Sequence, residues 1–258
     1  MSSEATAYRT FRADRLQVRV YRTRAALGAA AGSEAASLIR RLLQEQERVR
    51  IVFAAAPSQN EFLATLAGQE DLDWRRVTAF HMDEYIGLAR EAPQRFGRYL
   101  QTRLFDRVRP GEVHYIDTDA PIEAECRRYG DLLAAAPVDI VCLGIGENGH
   151  LAFNDPPVAD FADSVPMKAV KLDEACRRQQ VHDGCFPSLD EVPARALTLT
   201  IPALMAGKHL FCMVPGAAKR EAVRRTLQGP VATDCPATIL RTHPDCKLYL
   251  DSDSYGEG

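Results

Sequence analysis

Apolar residues recur along the chain with two alternating periods. Leu16, Val18 and Val20 are separated by polar residues, which is the period-2 pattern of a half-exposed strand and places this segment at a sheet edge. Downstream, apolar residues recur every three or four positions from a candidate N-cap, Ser33, to about Gln46, which predicts an amphipathic helix. A strand followed by a helix is therefore the first unit of the chain.

The same unit recurs to the end of the chain. Apolar runs bounded by turn residues predict strands at 51–55, 77–80, 138–143, 196–201, 210–214 and 247–250. Amphipathic stretches predict a helix after 57–60 and helices over 94–105, 122–135 and 217–227. This alternation predicts an α/β fold, Rossmann-like, with a mainly parallel sheet and helices on both faces. No repeat or flexible linker interrupts it, so residues 1–258 are expected to form a single domain.

Composition and charge exclude several classes of protein. Hydrophobic residues make up 46% and charged residues 26% of the chain, which excludes disordered and fibrous proteins. The net charge of -3 argues against non-specific nucleic-acid binding and means that an anion must be held by a local group of residues. No signal peptide or membrane span is predicted, and no two of the seven cysteines form a C-x-x-C pair. A reduced, cytoplasmic chain without a membrane partner is expected.

Four loops follow predicted strands at the edge where open parallel sheets bind ligands, namely 56–60, 81–85, 144–156 and 215–219. The third loop matches the dinucleotide fingerprint G-x-G-x-x-G at Gly144, Gly146 and Gly149. Pro156 and Pro157 follow too closely for a phosphate-binding helix, so no nicotinamide or flavin cofactor is predicted. The glycines are instead expected to let the loop backbone approach a ligand closely, with the imidazole of His150 over that ligand.

Acid and base candidates lie in these loops. His150 is a candidate for proton transfer because histidine exchanges protons near neutral pH, and Asp155 could orient it. The alternative is a loop histidine with a structural role. Of the adjacent carboxylates Asp83 and Glu84, one is expected to point into the crevice as a base, and the alternative is a carboxylate at a helix N-terminus.

Phosphate candidates lie where two helices begin. Ser58 and Gln59 precede one helix, and Lys219 lies in the first turn of another, positions that anions favour. The alternatives are a plain N-cap for Ser58 and a solvated side chain for Lys219. Arg177 and Arg178 are expected on a solvated helix face. The other histidines show no mutual ligand spacing, so no metal site is predicted.

Two long segments resemble the paired signature of the glucosamine-6-phosphate deaminases, also called isomerases. They are residues 80–88, FHMDEYIGL, and residues 144–156, GIGENGHLAFNDP, and the similarity extends over about 51–250. The resemblance implies the Rossmann-like fold shared with ribose-5-phosphate isomerase and 6-phosphogluconolactonase. It also implies conversion of glucosamine 6-phosphate, a small phosphosugar, to fructose 6-phosphate and ammonia, by a hydrolase with an internal isomerisation step. No cofactor is implied, and a homo-oligomer is allowed.

The resemblance assigns roles to individual residues. Asp83 matches the base that takes the C2 proton, and His150 matches the residue that opens the sugar ring, assisted from positions Asn148 and Asp155. Lys219 matches the lysine that holds the phosphate. The physical chemistry agrees, because ring opening and C2-to-C1 proton transfer need separate proton carriers.

Three positions depart from the family pattern. Asn148 stands where some members have Asp, Asp155 replaces the usual Glu, and segment 56–60 replaces a phosphate loop rich in glycine and threonine. Asparagine cannot act as a base but can orient His150. Two alternatives therefore stay open: a 6-phosphogluconolactonase, which needs no C2 base, and a non-catalytic sugar-phosphate sensor.

Overall fold

The computed structural model describes residues 6–257 and contains two sheets. The main sheet has the strand order β1-β2-β11-β10-β7-β3-β4-β6, and a smaller antiparallel sheet has the order β5-β9-β8. In the main sheet every pair is parallel except β1 with β2. The strands are β1 (Arg9–Ala13), β2 (Leu16–Tyr21), β3 (Val49–Phe53), β4 (Val77–His81), β5 (Asp83–Tyr85), β6 (Glu112–His114), β7 (Ile140–Leu143), β8 (Met167–Lys171), β9 (Arg195–Leu199), β10 (His209–Val214) and β11 (Cys246–Asp251).

Helices connect these strands, as the alternating periods predict. They are α1 (Arg24–Glu45), α2 (Asn60–Ala67), α3 (Phe96–Leu100), α4 (Asp106–Val108), α5 (Ile122–Ala134), α6 (Glu174–His182), α7 (Ile201–Met205), α8 (Arg220–Gln228) and α9 (Ser252–Tyr255). A π-helical turn, Gln101–Phe105, joins α3 to α4, and single 3₁₀ turns precede α2 and α8 at Pro57–Gln59 and Ala217–Lys219. Within residues 6–257, no helix is both long enough and apolar enough to span a membrane.

The main sheet separates two hydrophobic cores, which confirms the α/β fold with helices on both faces. Along β10, Phe211 and Met213 join the core that contains α1 and α2 residues, whereas Leu210 and Cys212 join the opposite core. Successive side chains of a strand point to opposite faces, so a strand buried on both faces is apolar throughout. This explains why the short apolar runs identify the central strands.

Helix α1 begins earlier than predicted, and the prediction of Ser33 as its N-cap is wrong. The cap is Thr23, whose side chain accepts from the backbone of Ala26, and Ser33 lies inside the helix. The first turns of α1 consist mainly of alanine and glycine, with Leu27 as the one large apolar side chain before Leu38, so they lack the repeated apolar stripe that marks a helix. The small residues serve packing, because a Cβ on Gly28 would lie 2.3 Å from the Cβ of Glu61 in α2.

Two predicted strands, β2 and β9, occupy positions other than those expected, and the sequence pattern does not predict β1, β5, β6 and β8. The edge position expected for β2 is occupied by β1, because Arg9–Ala13 pairs antiparallel with β2 on its outer side. The strand predicted at 196–201 is β9, and it belongs to the small antiparallel sheet instead of the parallel one. In that sheet Asp83 pairs with Thr198, so the acidic pair after β4 starts a strand and not a helix.

Candidate active site

All four predicted loops line one pocket at the carboxyl end of the main sheet. Its volume is about 230 Å³. Its walls include Ala56–Gln59, Met82, Asp83, Gly144–Gly146, His150, Ala152, Phe153 and Pro215–Lys219, together with Arg24, Phe96, Gln179, Gln180 and Asp183. The strand ends of a parallel sheet converge there, as the Rossmann-like topology requires.

The glycine loop makes room for an imidazole. The ring of His150 packs directly over Gly146, where an added Cβ would lie 2.1 Å from its Cε1 atom. Gly149 has a φ of +88°, and the backbone N–H of Gly146 donates to the carbonyl of His150 at 3.0 Å. A side chain at position 146 would therefore displace the histidine from the pocket wall.

His150 is held by two residues of its own loop. Its Nδ1 lies 2.8 Å from Oδ1 of Asn148 and 3.0 Å from Oδ1 of Asp155. The Asn148 amide donates to the same Asp155 oxygen at 2.9 Å, so its other atom, Oδ1, is an acceptor facing Nδ1. Two acceptors at Nδ1 place the ring proton there and leave Nε2 as the nitrogen available to the pocket.

Asp155 lies behind the histidine and not in the pocket wall. It is 1% exposed, and its Oδ1 atom reaches Nδ1 of His150 at 3.0 Å. Burial favours the neutral carboxyl, but hydrogen bonds from His150 and Asn148 outweigh it and hold the pKa of Asp155 below its usual range. An ionised Asp155 is therefore positioned to stabilise a protonated His150, whereas Asn148 fixes the ring orientation.

The adjacent carboxylates Asp83 and Glu84 point to opposite faces of β5. Asp83 lines the pocket, while Glu84 turns away and accepts hydrogen bonds from the backbone N–H groups of Tyr85, Phe96 and Gly97, each at 3.0 Å. Glu84 therefore caps the start of α3. Burial and the nearby Glu84 charge raise the pKa of Asp83 well above its usual range, as expected of a carboxyl group tuned toward base catalysis.

His81 fixes the backbone beside Asp83. It is buried, its Nδ1 lies 2.9 Å from the carbonyl oxygen of Asp83, and its Nε2 accepts from the backbone N–H of Ile116 at 2.9 Å. Burial lowers the pKa of His81 to about 4. The ring is therefore neutral at physiological pH, with Nδ1–H as donor and Nε2 as acceptor.

The phosphate candidates occupy the side of the pocket where α2 and α8 begin. Ser58 lines the pocket and caps neither α2 nor the 3₁₀ turn before it, so the plain N-cap alternative is not observed. Gln59 is buried, and its amide donates to the Ser58 hydroxyl at 3.1 Å. Lys219 is only 6% exposed, which excludes a solvated side chain. Burial lowers the pKa of its ammonium group, and the nearby negative charge of Asp183 offsets only part of that decrease.

Other pocket residues carry no loop or motif signal in the sequence. Arg24, in the first turn of α1, lines the pocket, pairs with Glu61 at 2.7 Å and donates to the carbonyl of Pro57. It thereby supports the loop 56–60 that leads into α2. Gln179 and Asp183 enter from the end of α6. Their place in the pocket wall depends on how α1 and α6 pack on the sheet, which hydrophobic periodicity does not specify.

A family model described as glucosamine-6-phosphate isomerases/6-phosphogluconolactonase matches residues 22–248. The chain belongs to this family. A glucosamine-6-phosphate deaminase of Bacillus cereus is 34% identical over 219 residues, which cover 84% of this chain and 81% of the relative. A glucosamine-6-phosphate deaminase of Exiguobacterium sp. is 40% identical over 185 residues, covering 71% and 70% of the two chains.

Solved structures show the same fold. A monomeric glucosamine-6-phosphate deaminase superposes with a TM-score of 0.85 at 30% identity, covering 93% of this chain and 99% of the other. The 6-phosphogluconolactonase of Thermotoga maritima gives a TM-score of 0.75 at 22% identity, covering 92% and 99%. The second likeness is evidence for the fold alone. In this chain the pocket holds a buried carboxylate, Asp83, in addition to His150.

Proposed function

We propose that the protein converts glucosamine 6-phosphate and water to fructose 6-phosphate and ammonia. The observation that carries this proposal is the presence of Asp83 and His150 in the walls of one pocket, with Asp155 behind the histidine. An aldose-to-ketose conversion needs a base at C2 in addition to a group that opens the ring, and the pocket supplies both. The curated relatives named glucosamine-6-phosphate deaminase support the same choice.

Ring opening is the first step assigned to the pocket. The anomeric hydroxyl must lose a proton and the ring oxygen must gain one. His150 accepts the first proton at Nε2, since its Nδ1 proton is held by Asn148 and Asp155. The resulting imidazolium is stabilised by the buried Asp155 carboxylate and then donates from Nε2 to the ring oxygen.

Proton transfer from C2 to C1 is assigned to Asp83. Its carboxylate removes the C2 proton of the open-chain amino aldehyde while the C1 oxygen takes a proton from solvent, which forms an enolamine. It then returns a proton to C1 while the amino nitrogen releases one to solvent. The product is a 2-imino sugar, and water adds across its C=N bond to release ammonia. In this sequence the net reaction is hydrolytic, and none of its steps requires a metal or redox cofactor. We place the reaction in the cytoplasm, in keeping with seven free thiols.

The phosphate group is assigned to the side of the pocket formed by Ser58, Arg24 and Lys219. Lys219 is buried in the 3₁₀ turn that precedes α8, and it lines the pocket. The start of α2 carries the Ser58 hydroxyl, and Arg24 lies beside it. Helix N-termini and cations both favour anions, so these groups replace the missing glycine loop.

Two substrates distinguish the proposal from its alternatives. The purified protein is incubated with glucosamine 6-phosphate, and ammonia and fructose 6-phosphate are measured; a parallel sample receives 6-phosphogluconolactone, and acid release is measured. Equal amounts of ammonia and fructose 6-phosphate support the deaminase. Lactone hydrolysis without ammonia would identify a lactonase, and tight binding of the amino sugar without turnover would identify a sensor.

A further inference from the structure

A group of three potential metal ligands lies behind the pocket. Each of three buried residues offers one ligand atom, and these three atoms lie within 4.8 Å of one another; the residues are His150, Asp155 and Cys176. Cys176 belongs to α6 and lies far from the other two in sequence, so residue spacing does not reveal the group. Nitrogen, carboxylate oxygen and sulfur together form a donor set that suits zinc and does not suit magnesium or calcium.

A second observation points to a ligand at this position. Asp155 is 1% exposed, and its Oδ2 atom has no hydrogen-bond partner among the described residues, whereas Oδ1 contacts His150 and Asn148. A buried carboxylate oxygen without a partner is costly in free energy and is satisfied by a cation.

An ion can approach the group from two sides. His150 borders the pocket described above, and Asp155 borders a second cavity of about 410 Å³ whose walls include Asp173 and Glu174. The charges of Asp173 and Glu174 are offset by Lys171 and Arg177 in the same walls, so this cavity is a route to the group and not itself a cation site.

We propose that His150, Asp155 and Cys176 form an inhibitory zinc site. Zinc binds the thiolate of Cys176, one carboxylate oxygen of Asp155 and Nδ1 of His150, and water completes the tetrahedron. The thiol proton is released to solvent. The proton on Nδ1 moves to Nε2, so one proton leaves the protein for each ion bound. Inhibition rests on the proposed function, whereas zinc binding itself does not.

The tautomer explains why the ion would inhibit. In the metal-free protein, Nδ1 carries the proton and Nε2 is free to accept one in ring opening. With Nδ1 bound to zinc, the neutral ring carries its proton on Nε2 and cannot accept another. The bound ion also neutralises the Asp155 charge that stabilises the imidazolium. The group would therefore switch off ring opening without closing the sugar-binding pocket.

Cobalt provides a test of binding that does not depend on activity. Cobalt(II) is titrated into the reduced protein, and the near-ultraviolet charge-transfer band between thiolate sulfur and cobalt is followed, with zinc as competitor. The parent protein and Cys185→Ser, a control cysteine just after α6, should give the band, and zinc should abolish it. Cys176→Ser and Cys176→Ala should not. No band in the parent, or the same band in the Cys176 variants, overturns the site.

Activity and alkylation complete the test. Zinc should inhibit ammonia release by the parent, and Cys176→Ser should require at least about tenfold more zinc for the same inhibition. Zinc should also slow alkylation of Cys176 relative to Cys185 in the parent protein, a measurement that needs no variant to fold. A cobalt band without deaminase activity would refute the proposed function and leave the metal site standing. Equal zinc sensitivity of the parent and Cys176→Ser would refute the inhibitory role.

Discussion

The Nδ1 atom of His150 lies 3.0 Å from Oδ1 of Asp155, and only the histidine of this pair borders the pocket. The carboxylate therefore acts on a substrate through the imidazole. Asn148 accepts at the same nitrogen, at 2.8 Å, and supplies a second, uncharged anchor for the ring. Orientation and charge stabilisation are thus divided between two side chains, which makes them separable by substitution.

Replacing Asp155 with asparagine should lower kcat and leave KM nearly unchanged. The variant removes the charge that stabilises the imidazolium, and general acid–base catalysis of this kind contributes about a hundredfold or more. Steady-state kinetics with glucosamine 6-phosphate check this expectation. The matched control is Asp131→Asn on the exposed face of α5, which should retain the parent kcat. A raised KM with an unchanged kcat for Asp155→Asn would place this residue in binding instead.

Replacing Asp83 with asparagine should abolish turnover but stabilise the protein at neutral pH. Burial raises the pKa of Asp83, so the folded state pays for ionising it, and removal of that charge should add about 1 kcal/mol to the free energy of unfolding. The gain should be complete at pH values above the raised pKa. It should shrink as the pH falls below that value, and it should vanish below the usual carboxyl pKa, where Asp83 of the parent is protonated in both the folded and the unfolded state. Urea unfolding across this pH range measures it.

The exposed Asp190→Asn variant is the control for that series and should show no gain at any pH. A destabilised Asp83→Asn protein at neutral pH would contradict the inferred cost of ionising the carboxyl group.

Replacing Lys219 with methionine should raise KM for glucosamine 6-phosphate by at least about tenfold, because one charge-assisted hydrogen bond to the phosphate is lost. Arg24→Gln should act in the same direction. Inhibition by inorganic phosphate should weaken in parallel, which separates phosphate contacts from sugar contacts. Arg178→Gln, an exposed pair with Glu174, is the control. Unchanged KM values in both pocket variants would show that the phosphate binds elsewhere.

Replacing Gly28 with alanine should destabilise the fold by about 1–3 kcal/mol, as expected for overpacking a tight interface. The added Cβ would lie 2.3 Å from the Cβ of Glu61 and 2.8 Å from its backbone carbonyl carbon. Thermal unfolding measures the loss. Ser37→Ala, on the exposed face of the same helix, should leave Tm unchanged or raise it. An equally stable Gly28→Ala protein would contradict the close contact between α1 and α2.

The central strands could be predicted from sequence because they are buried on both faces. The run that forms β7 is apolar at every position, and helices with clear amphipathic stripes follow the expected periods. The sequence pattern does not predict strands β1, β5, β6 and β8, because they are short or partly polar and depend on pairing with distant segments. These strands are stabilised by hydrogen bonds and side-chain contacts with the neighbouring strands, and not by a pattern of apolar residues within their own sequence.

The predicted parallel sheet was enough to locate the candidate site, but it did not identify every residue of the pocket wall. Loops after parallel strands converge, so the pocket position of Asp83, Ser58, His150 and Lys219 followed from the strand order. Arg24 and Gln179 enter from helices, where no loop or motif marks them. Their contribution depends on helix packing angles, which the one-dimensional pattern does not contain.

Turnover of glucosamine 6-phosphate carrying deuterium at C2 tests the central claim most directly. Ammonia release is compared for the labelled and unlabelled sugar, with the parent protein and with Asp83→Asn. We predict a normal primary isotope effect on kcat/KM in the parent and no detectable ammonia from the variant. Ammonia release by Asp83→Asn at the parent rate would contradict the assignment of Asp83 as the base that moves the C2 proton.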